Sequence, residues 1–312
     1  MKRAAILDLG TNTFNLLIVE TTPNRGYNIL VNHKIPVKLG EGRINDGEII
    51  PEAFKRGIDG VLKHFEVIDA YKTDTIKAYG TSALRTAKNG KQFLDEIYKL
   101  KKLEVEIISG DHEAELIYLG VRQTLRFTNE KFVILDIGGG SNELIIANMG
   151  HIIWKKSYNL GIARLMEKFK PSDPIQQVEI DSIKQYLKDE MQDLFAALQE
   201  NNIRTLVGAS GSFETFVTML KEIEVVETEC MLTELSTEIS LPQYNQLFNK
   251  IIHSTHNERK NMKGLEPMRI EMIVLASLFV KFILENHQFN NIIQSNFALK
   301  EGAIFEIFNQ GD

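Results

Sequence analysis

The feature that most constrains the fold of this chain is a short segment that occurs twice. Residues 6–18 read ILDLGTNTFNLLI and residues 134–146 read ILDIGGGSNELII, and they align without gaps. Each copy has the pattern of a buried strand ending in an aspartate, a tight turn and a return strand. Both parts of the chain continue with a further strand and a helix, which indicates a duplicated α/β fold and not a short-period repeat.

The two turns have the composition of phosphate-binding turns. Glycine lets the backbone approach a ligand closely, and consecutive N–H groups form a concave nest for phosphate oxygens. An aspartate at the end of the strand can bind a divalent cation. Either turn alone is more typical of an ordinary hairpin. Two copies in register, together with GASGS at 208–212 before a helix, favour a phosphate-binding cleft between the halves.

Length, charge and cysteine content limit the alternatives. A chain of 312 residues suits two domains, and a net charge of −6 argues against a nucleic-acid partner. The most apolar stretch, residues 272–280, is too short to cross a membrane. One cysteine, Cys230, excludes an internal disulfide and fits a reducing compartment. We therefore expect a cytoplasmic protein without a membrane partner.

Seven sequence blocks occur in order along almost the entire chain: DLGTNTFNLLI (8–18), GTSALRTA (80–87), SGDHEAELIYLGV (109–121), LDIGGGSNEL (135–144), GASGS (208–212), GLEPMRIEMI (264–273) and ALKEGAI (298–304). Together they resemble the exopolyphosphatase / guanosine pentaphosphate phosphohydrolase (Ppx/GppA) family in its short two-domain form. The resemblance implies an α/β fold of the duplicated actin-like (ribonuclease H-like) ATPase type, with two domains around a cleft. We expect domain I at 1–112 plus a C-terminal helix at about 297–312, and domain II at about 113–296.

Glu113 is the candidate catalytic residue. It lies near the start of a predicted helix with Ser109 or Asp111 at the N-cap, and Ile117 and Val121 continue its face as an apolar stripe. The spacing alone leaves two alternatives, stabilisation of the helix dipole or chemistry. The resemblance implies that Glu113 is the general base that polarises the attacking water.

Asp136 and Glu143 are the candidate metal ligands. They flank the second glycine turn on opposite strands of one hairpin, where two carboxylates with waters and phosphate oxygens suit Mg²⁺ or another divalent cation. An exposed strand position is the alternative for Glu143. Because Asn15 takes the place of Glu143 in the first copy, we expect the second half to hold the metal.

The predicted phosphate-binding residues come from the turns and from two arginines. Arg85 is expected in a loop after the strand 75–79, and Arg269 at the start of a helix spanning 267–286, although solvation at the surface is the alternative for both. The glycine turn at 208–212 is expected to precede a helix that begins near Phe213. The full set is Asp8, Thr11, Asn12, Thr13, Arg85, Gly138, Gly139, Gly140, Ser141, Gly208, Ser210, Gly211, Ser212 and Arg269.

The expected reaction is Mg²⁺-assisted release of terminal orthophosphate from inorganic polyphosphate. Guanosine pentaphosphate is an alternative substrate, because it presents the same terminal anhydride. A sugar or acetate kinase and a non-catalytic guanosine polyphosphate sensor are the further alternatives. The helices expected near 175–199 and 267–286 either form a homodimer seam or pack into the core.

Overall fold

The computed structural model of the protein describes residues 2–23, 26–126, 130–223, 231–233 and 235–309. Cys230 and the last three residues of the expected C-terminal helix lie outside these ranges. No helix within them is long and apolar enough to pass through a bilayer.

The first half is a five-stranded sheet in the order β3-β2-β1-β4-β5. Its hairpin strands β1 and β2 run antiparallel, and β4 lies parallel to β1 on the other side. The strands are β1 (Arg3–Leu9), β2 (Thr13–Thr21), β3 (Tyr27–Pro36), β4 (Thr75–Gly80) and β5 (Val105–Ile107). The helices are α1 (Pro51–Tyr71), α2 (Ser82–Thr86) and α3 (Gly90–Lys101).

The second half is a seven-stranded sheet in the order β10-β11-β12-β9-β6-β7-β8. The strands are β6 (Phe132–Ile137), β7 (Asn142–Ala147), β8 (Ile152–Tyr158), β9 (Thr205–Ala209), β10 (Met231–Thr233), β11 (Ser236–Ile239) and β12 (Asn291–Ser295). The helices are α4 (Gly110–Val121), α5 (Ile162–Phe169), α6 (Gln177–Glu190), α7 (Gln192–Glu200), α8 (Ser210–Glu222), α9 (Leu241–Ile252), α10 (His256–Lys260) and α11 (Ile273–Asn286). The last helix, α12 (Leu299–Asn309), packs against α4 and against β1 and β2 of the first half.

The two sheets share one topology, which confirms the duplicated α/β fold. Strands β8-β7-β6-β9-β12 repeat the order and directions of β3-β2-β1-β4-β5, and β11 and β10 extend the second sheet. The repeated hairpins also match in detail. The N–H of Gly10 donates to the carbonyl of Thr13, and that of Gly138 to the carbonyl of Ser141, each at 3.1 Å.

A shared core joins the halves. One face of each sheet contributes to the same apolar cluster, and α4 and α12 pack within that cluster. Two glycines allow these helices to touch, because a Cβ at Gly120 would lie 1.9 Å from the carbonyl oxygen of Ala298 and one at Gly302 1.7 Å from that of Leu116. The domain limits at 112 and 296 stay a prediction, since α4 and α12 belong to a core that both sheets build.

Four expectations about secondary structure are wrong in detail. Arg85 lies in the short helix α2 and not in a loop, and α8 begins at Ser210 and not near Phe213. The helix expected at 175–199 is divided at Met191 into α6 and α7. Residues Pro267–Arg269 form a separate 3₁₀ turn, so α11 begins only at Ile273.

The helix α11 is buried in the core of the second half, from Ile273 to Val280 without interruption. Core packing therefore accounts for its apolar sequence, which is the alternative that the sequence left open. A homodimer stays a prediction.

Candidate active site

The two glycine turns meet across the cleft between the halves. A cavity of about 160 Å³ lies there, and residues of both turns line it. A Cβ at Gly139 would lie 2.4 Å from Nδ2 of Asn12, and one at Gly140 2.6 Å from Oγ1 of Thr11. A Cβ at either position would displace the side chain of Asn12 or Thr11, so glycine permits this close contact between the turns.

The second turn directs its amide groups into the cleft. The carbonyls of residues 138–140 accept hydrogen bonds, in order, from the N–H of Ile162, the N–H of Ala163 and Nε of Arg164, at 3.0, 2.8 and 2.7 Å. The N–H of a trans peptide points opposite to its carbonyl. The N–H groups of residues 139–141 therefore point away from α5, and among the described residues none of them has a partner.

The first turn is held in the same way by the loop that follows β3. The carbonyl of Thr11 accepts from the N–H of Gly40 at 3.2 Å, and that of Asn12 accepts from Val37 and Lys38 at 2.9 Å. In both turns the carbonyl groups accept hydrogen bonds from the protein, so the N–H groups of the same peptides point towards the cleft. Such a paired nest can bind the oxygens of a condensed phosphate.

Six carboxylates line this cavity: Asp8, Glu113, Asp136, Glu143, Glu214 and Glu301. The first four belong to the predicted site. Glu113, Asp136 and Glu143 are 8, 7 and 1% exposed. In the hairpins Asp8 lies opposite Asn15, and Asp136 opposite Glu143. The first pair forms a hydrogen bond of 2.8 Å between amide and carboxylate, whereas the second places two carboxylates side by side.

Burial raises the pKa of Asp8, Glu113, Asp136 and Glu143, and the charges of neighbouring carboxylates add to the effect. Burial is the main cause for Asp136, with the charge of Glu143 second, and its pKa rises to about 7. Burial also raises the pKa of Asp8 to about 6, although the hydrogen bond from Asn15 lowers it in part. Burial raises the pKa of Glu143. The hydroxyl of Ser157, which donates to its carboxylate at 2.7 Å, has the opposite, lowering effect.

Glu113 lies in the first turn of α4, and its carboxylate is held by Arg85 of α2. Nη1 of Arg85 lies 3.0 Å from Oε2 of Glu113 and also donates to the carbonyl of Ile108 at 2.8 Å. Burial and the charge of Glu143 raise the pKa of Glu113 well above its usual range, against the opposite effect of Arg85. A carboxylate with a raised pKa at a water-accessible cleft can accept a proton near neutral pH.

The predicted N-cap is confirmed, since Oγ of Ser109 accepts from the N–H of His112. The side chain of His112 lies within 4 Å of Glu106 and Glu306.

The donor set suits a hard divalent cation. Oxygen ligands are those Mg²⁺ prefers, and a cation would relieve the repulsion between Asp136 and Glu143. In the described part of the chain no three acidic, histidine or cysteine side chains are placed to hold one metal ion. A metal between Asp136 and Glu143 would therefore have to complete its shell with water and phosphate oxygens, and this metal site stays a prediction.

Arg269 lies beside the start of α8. A Cβ at Gly211 would fall 1.6 Å from its Nη2, so the guanidinium rests against the first turn of that helix. Its Nε lies 3.6 Å from a carboxylate oxygen of Glu266 and, within the described residues, makes no hydrogen bond. Two positive features, an arginine and a helix N-terminus, thus face one cavity wall, which favours a bound anion there. Ser210, with a left-handed φ of 65°, lines the same wall.

Most predicted site residues line the cavity. Those that do are Asp8, Thr11, Asn12, Thr13, Glu113, Asp136, Gly138, Gly139, Gly140, Ser141, Glu143, Ser210, Gly211 and Arg269. Arg85 reaches the site through Glu113, while Gly208 and Ser212 are not part of the lining. Gly208 is needed for packing, because a Cβ there would overlap the ring of Phe213 at 2.1 Å.

Several cavity residues were not in the predicted site set. Lys34, Lys38 and Lys300 line the cleft, and Ser82 places a buried hydroxyl there that has no partner in the described chain. Strand β3 ends at Pro36 and Lys38 has a left-handed φ of 48°, so strand alternation could not place Lys38.

Comparison with known proteins supports the family resemblance that the sequence blocks indicate. The Ppx/GppA phosphatase family model matches residues 17–310. The crystal structure of an exopolyphosphatase from Cytophaga hutchinsonii has 33% sequence identity and a TM-score of 0.93, covering 100% of this chain and 99% of that one. A Haemophilus influenzae protein provisionally named an exopolyphosphatase is 26% identical, over 98% of this chain and 92% of its own length. An Aquifex aeolicus Ppx/GppA family member shares the fold, with 22% identity, a TM-score of 0.79 and coverage of 100% and 99%.

The duplicated α/β fold and the family match define the class of protein as a phosphatase. The chain belongs to the Ppx/GppA phosphatase family.

Proposed function

We propose that the protein is an exopolyphosphatase, which hydrolyses the terminal phosphoanhydride of inorganic polyphosphate. The observation that carries the proposal is the convergence of two amide-lined turns on a small cleft that also contains Glu113. The amides supply sites for phosphate oxygens, and the buried carboxylate supplies a proton acceptor.

In this proposal the terminal phosphate lies between the turns. The free amides and the guanidinium of Arg269 neutralise its oxygens, and Glu113 orients a water and takes its proton. Arg85 holds the Glu113 carboxylate in place. Bound at Asp136 and Glu143, Mg²⁺ would supply further neutralisation of phosphate charge.

The lysines of the cleft support a linear polyanion as the substrate. Lys34 pairs with Glu214, and Lys38 pairs with Glu271 at 2.6 Å. Both ion pairs join the first half to the second. A polyphosphate chain could exchange with these carboxylates and extend along the lysines beyond the terminal phosphate.

Guanosine pentaphosphate is the second candidate substrate, because an apolar cavity adjoins the phosphate cavity. Its volume is about 330 Å³, and it shares Asn12, Lys38 and Met272 with the phosphate cavity. Met166 and Met272 offer polarisable surface on which a base could pack.

The test is a phosphate-release assay with polyphosphate, guanosine pentaphosphate and ATP, each with Mg²⁺ and with EDTA. We expect Glu113→Gln to lower kcat by about a hundredfold or more. Glu115→Gln is the matched control, since Glu115 lies in the same helix but is exposed and pairs with Lys155. Binding without release would support a sensor, release from ATP to an acceptor would support a kinase, and full activity of Glu113→Gln would exclude the assigned base.

A further inference from the structure

Arg164 joins the second glycine turn to the first half of the molecule. Its Nε donates to the carbonyl of Gly140 at 2.7 Å. Its two terminal nitrogens donate to the carbonyl of Ile44 and to the hydroxyl of Thr86, each at 3.0 Å. One guanidinium therefore bridges a phosphate-binding turn and two separate segments across the cleft.

The hydrogen bond to Gly140 determines the direction of an amide in the site. The carbonyl of Gly140 and the N–H of Ser141 belong to one peptide plane, so fixing the first aims the second in the opposite direction. The equivalent acceptor of the first turn, Asn12, is held by backbone N–H groups. The second turn depends at this peptide on a side chain.

A neighbouring residue provides a comparison. Glu167, in the same helix α5, accepts from the N–H groups of Ile44 and Asn45 at 2.9 and 3.3 Å. Arg164 and Glu167 thus both clamp the loop around residue 44. Only Arg164 also contacts the glycine turn.

We propose that Arg164 is a positioning residue, which aims the Ser141 amide at the phosphate and does so fully only when the two halves are closed. If the halves separate, the guanidinium loses Ile44, Asn45 and Thr86, three of its four acceptors. Its hold on Gly140 then weakens, so closure of the cleft and alignment of the turn become one event. The inference rests on the proposed function.

The test compares Arg164→Ala with Glu167→Ala. We expect Arg164→Ala to raise KM for tripolyphosphate about tenfold to a hundredfold, the range of a hydrogen bond to a charged group, with a smaller fall in kcat. Glu167→Ala should change KM by no more than about threefold. Millimolar guanidinium should restore much of the affinity of Arg164→Ala, because it can fill the vacated site, and should not affect Glu167→Ala.

Calorimetric binding of tripolyphosphate in EDTA provides a readout without turnover, and thermal unfolding checks that each variant folds. If Arg164→Ala does not fold, Arg164→Lys takes its place, since lysine keeps the charge but lacks the planar fork that reaches acceptors on separate segments. Equal effects of the two alanine variants would mean that Arg164 only holds the loop around residue 44, as Glu167 does, and would overturn the inference. Unaltered affinity for tripolyphosphate in Arg164→Ala or Arg164→Lys would also overturn it. Failure of the proposed function would appear separately, as absence of phosphate release by the wild-type protein.

Discussion

Replacing Asp136 by asparagine should stabilise the metal-free protein while it abolishes activity. Asp136 faces Glu143 across the hairpin, and its pKa rises from 3.8 to about 7, mainly because it is buried. Ionising this carboxyl in the folded state therefore costs about 4 kcal/mol, at 1.36 kcal/mol for each pKa unit. Asparagine must also be desolvated, so we expect a net gain of about 1–3 kcal/mol.

The pH dependence gives the sign of the effect. Between pH 3.8 and 7 the folded state binds more protons at Asp136 than the unfolded state, so rising pH removes stability from the wild-type protein. The advantage of Asp136→Asn should thus be complete at pH 8 and almost absent at pH 4. Urea unfolding in EDTA at both pH values measures this difference.

Two comparisons make the result specific. Mg²⁺ should stabilise the wild-type protein at pH 8 and have little effect on Asp136→Asn, if this carboxylate binds the ion. Asp8→Asn, at the matching position of the first turn, should give a smaller gain because its pKa rises only to about 6. An equal loss of stability at pH 4 and pH 8 in Asp136→Asn would refute the reasoning.

Three other changes test separate parts of the structure. Gly140→Ala places a Cβ 2.6 Å from Oγ1 of Thr11 and should lower kcat/KM for polyphosphate about tenfold to a hundredfold, as measured by phosphate release. His64 is fully buried with its Nε2 at 3.1 Å from the carbonyl of Phe14, and burial lowers its pKa to about 4. The wild-type protein should therefore lose up to about 3 kcal/mol from this group as pH falls from 6.5 to 4, a slope that His64→Gln should flatten in urea unfolding. Lys34→Met should raise KM about twofold to fivefold for long polyphosphate and less for tripolyphosphate.

Each of these predictions has a control. Gly150→Ala alters a glycine of the next hairpin turn, where the nearest contact of a Cβ is 3.4 Å, and should leave kcat/KM almost as it was. If Gly140→Ala behaves in the same way, the turns do not need close contact. A His64→Gln profile parallel to that of the wild type, or equal KM changes for long and short chains in Lys34→Met, would contradict the other two.

The sequence predicted the site well where local pattern determines geometry. The copied segment 134–146 shows the strand, the turn and the return strand directly, so the facing of Asp136 and Glu143 follows from hairpin register. The convergence of the two turns follows from the duplication. The hairpin register involves residues close together in the chain, and the second turn repeats the geometry of the first.

Contacts between distant segments were not predictable in this way. The role of Arg164 depends on hydrogen bonds to residues 44, 86 and 140, and nothing in the local pattern of α5 shows those acceptors. The start of α8 was placed too late because Ser210 adopts a left-handed φ, which is uncommon for serine. Gly208 looked like a ligand-binding glycine, whereas packing of Phe213 accounts for it.

The duplication explains how one scaffold can separate binding from chemistry. Both turns keep their amides free by the same means, with carbonyls held by the segment after the third strand. The charges differ at one matched position, where Asn15 donates to Asp8 and Glu143 repels Asp136. In the first hairpin a hydrogen bond from the Asn15 amide partly stabilises the Asp8 carboxylate, while the second hairpin requires a proton or a cation. We therefore expect the first half to contribute mainly to phosphate affinity, and the second half to make that affinity depend on a divalent ion.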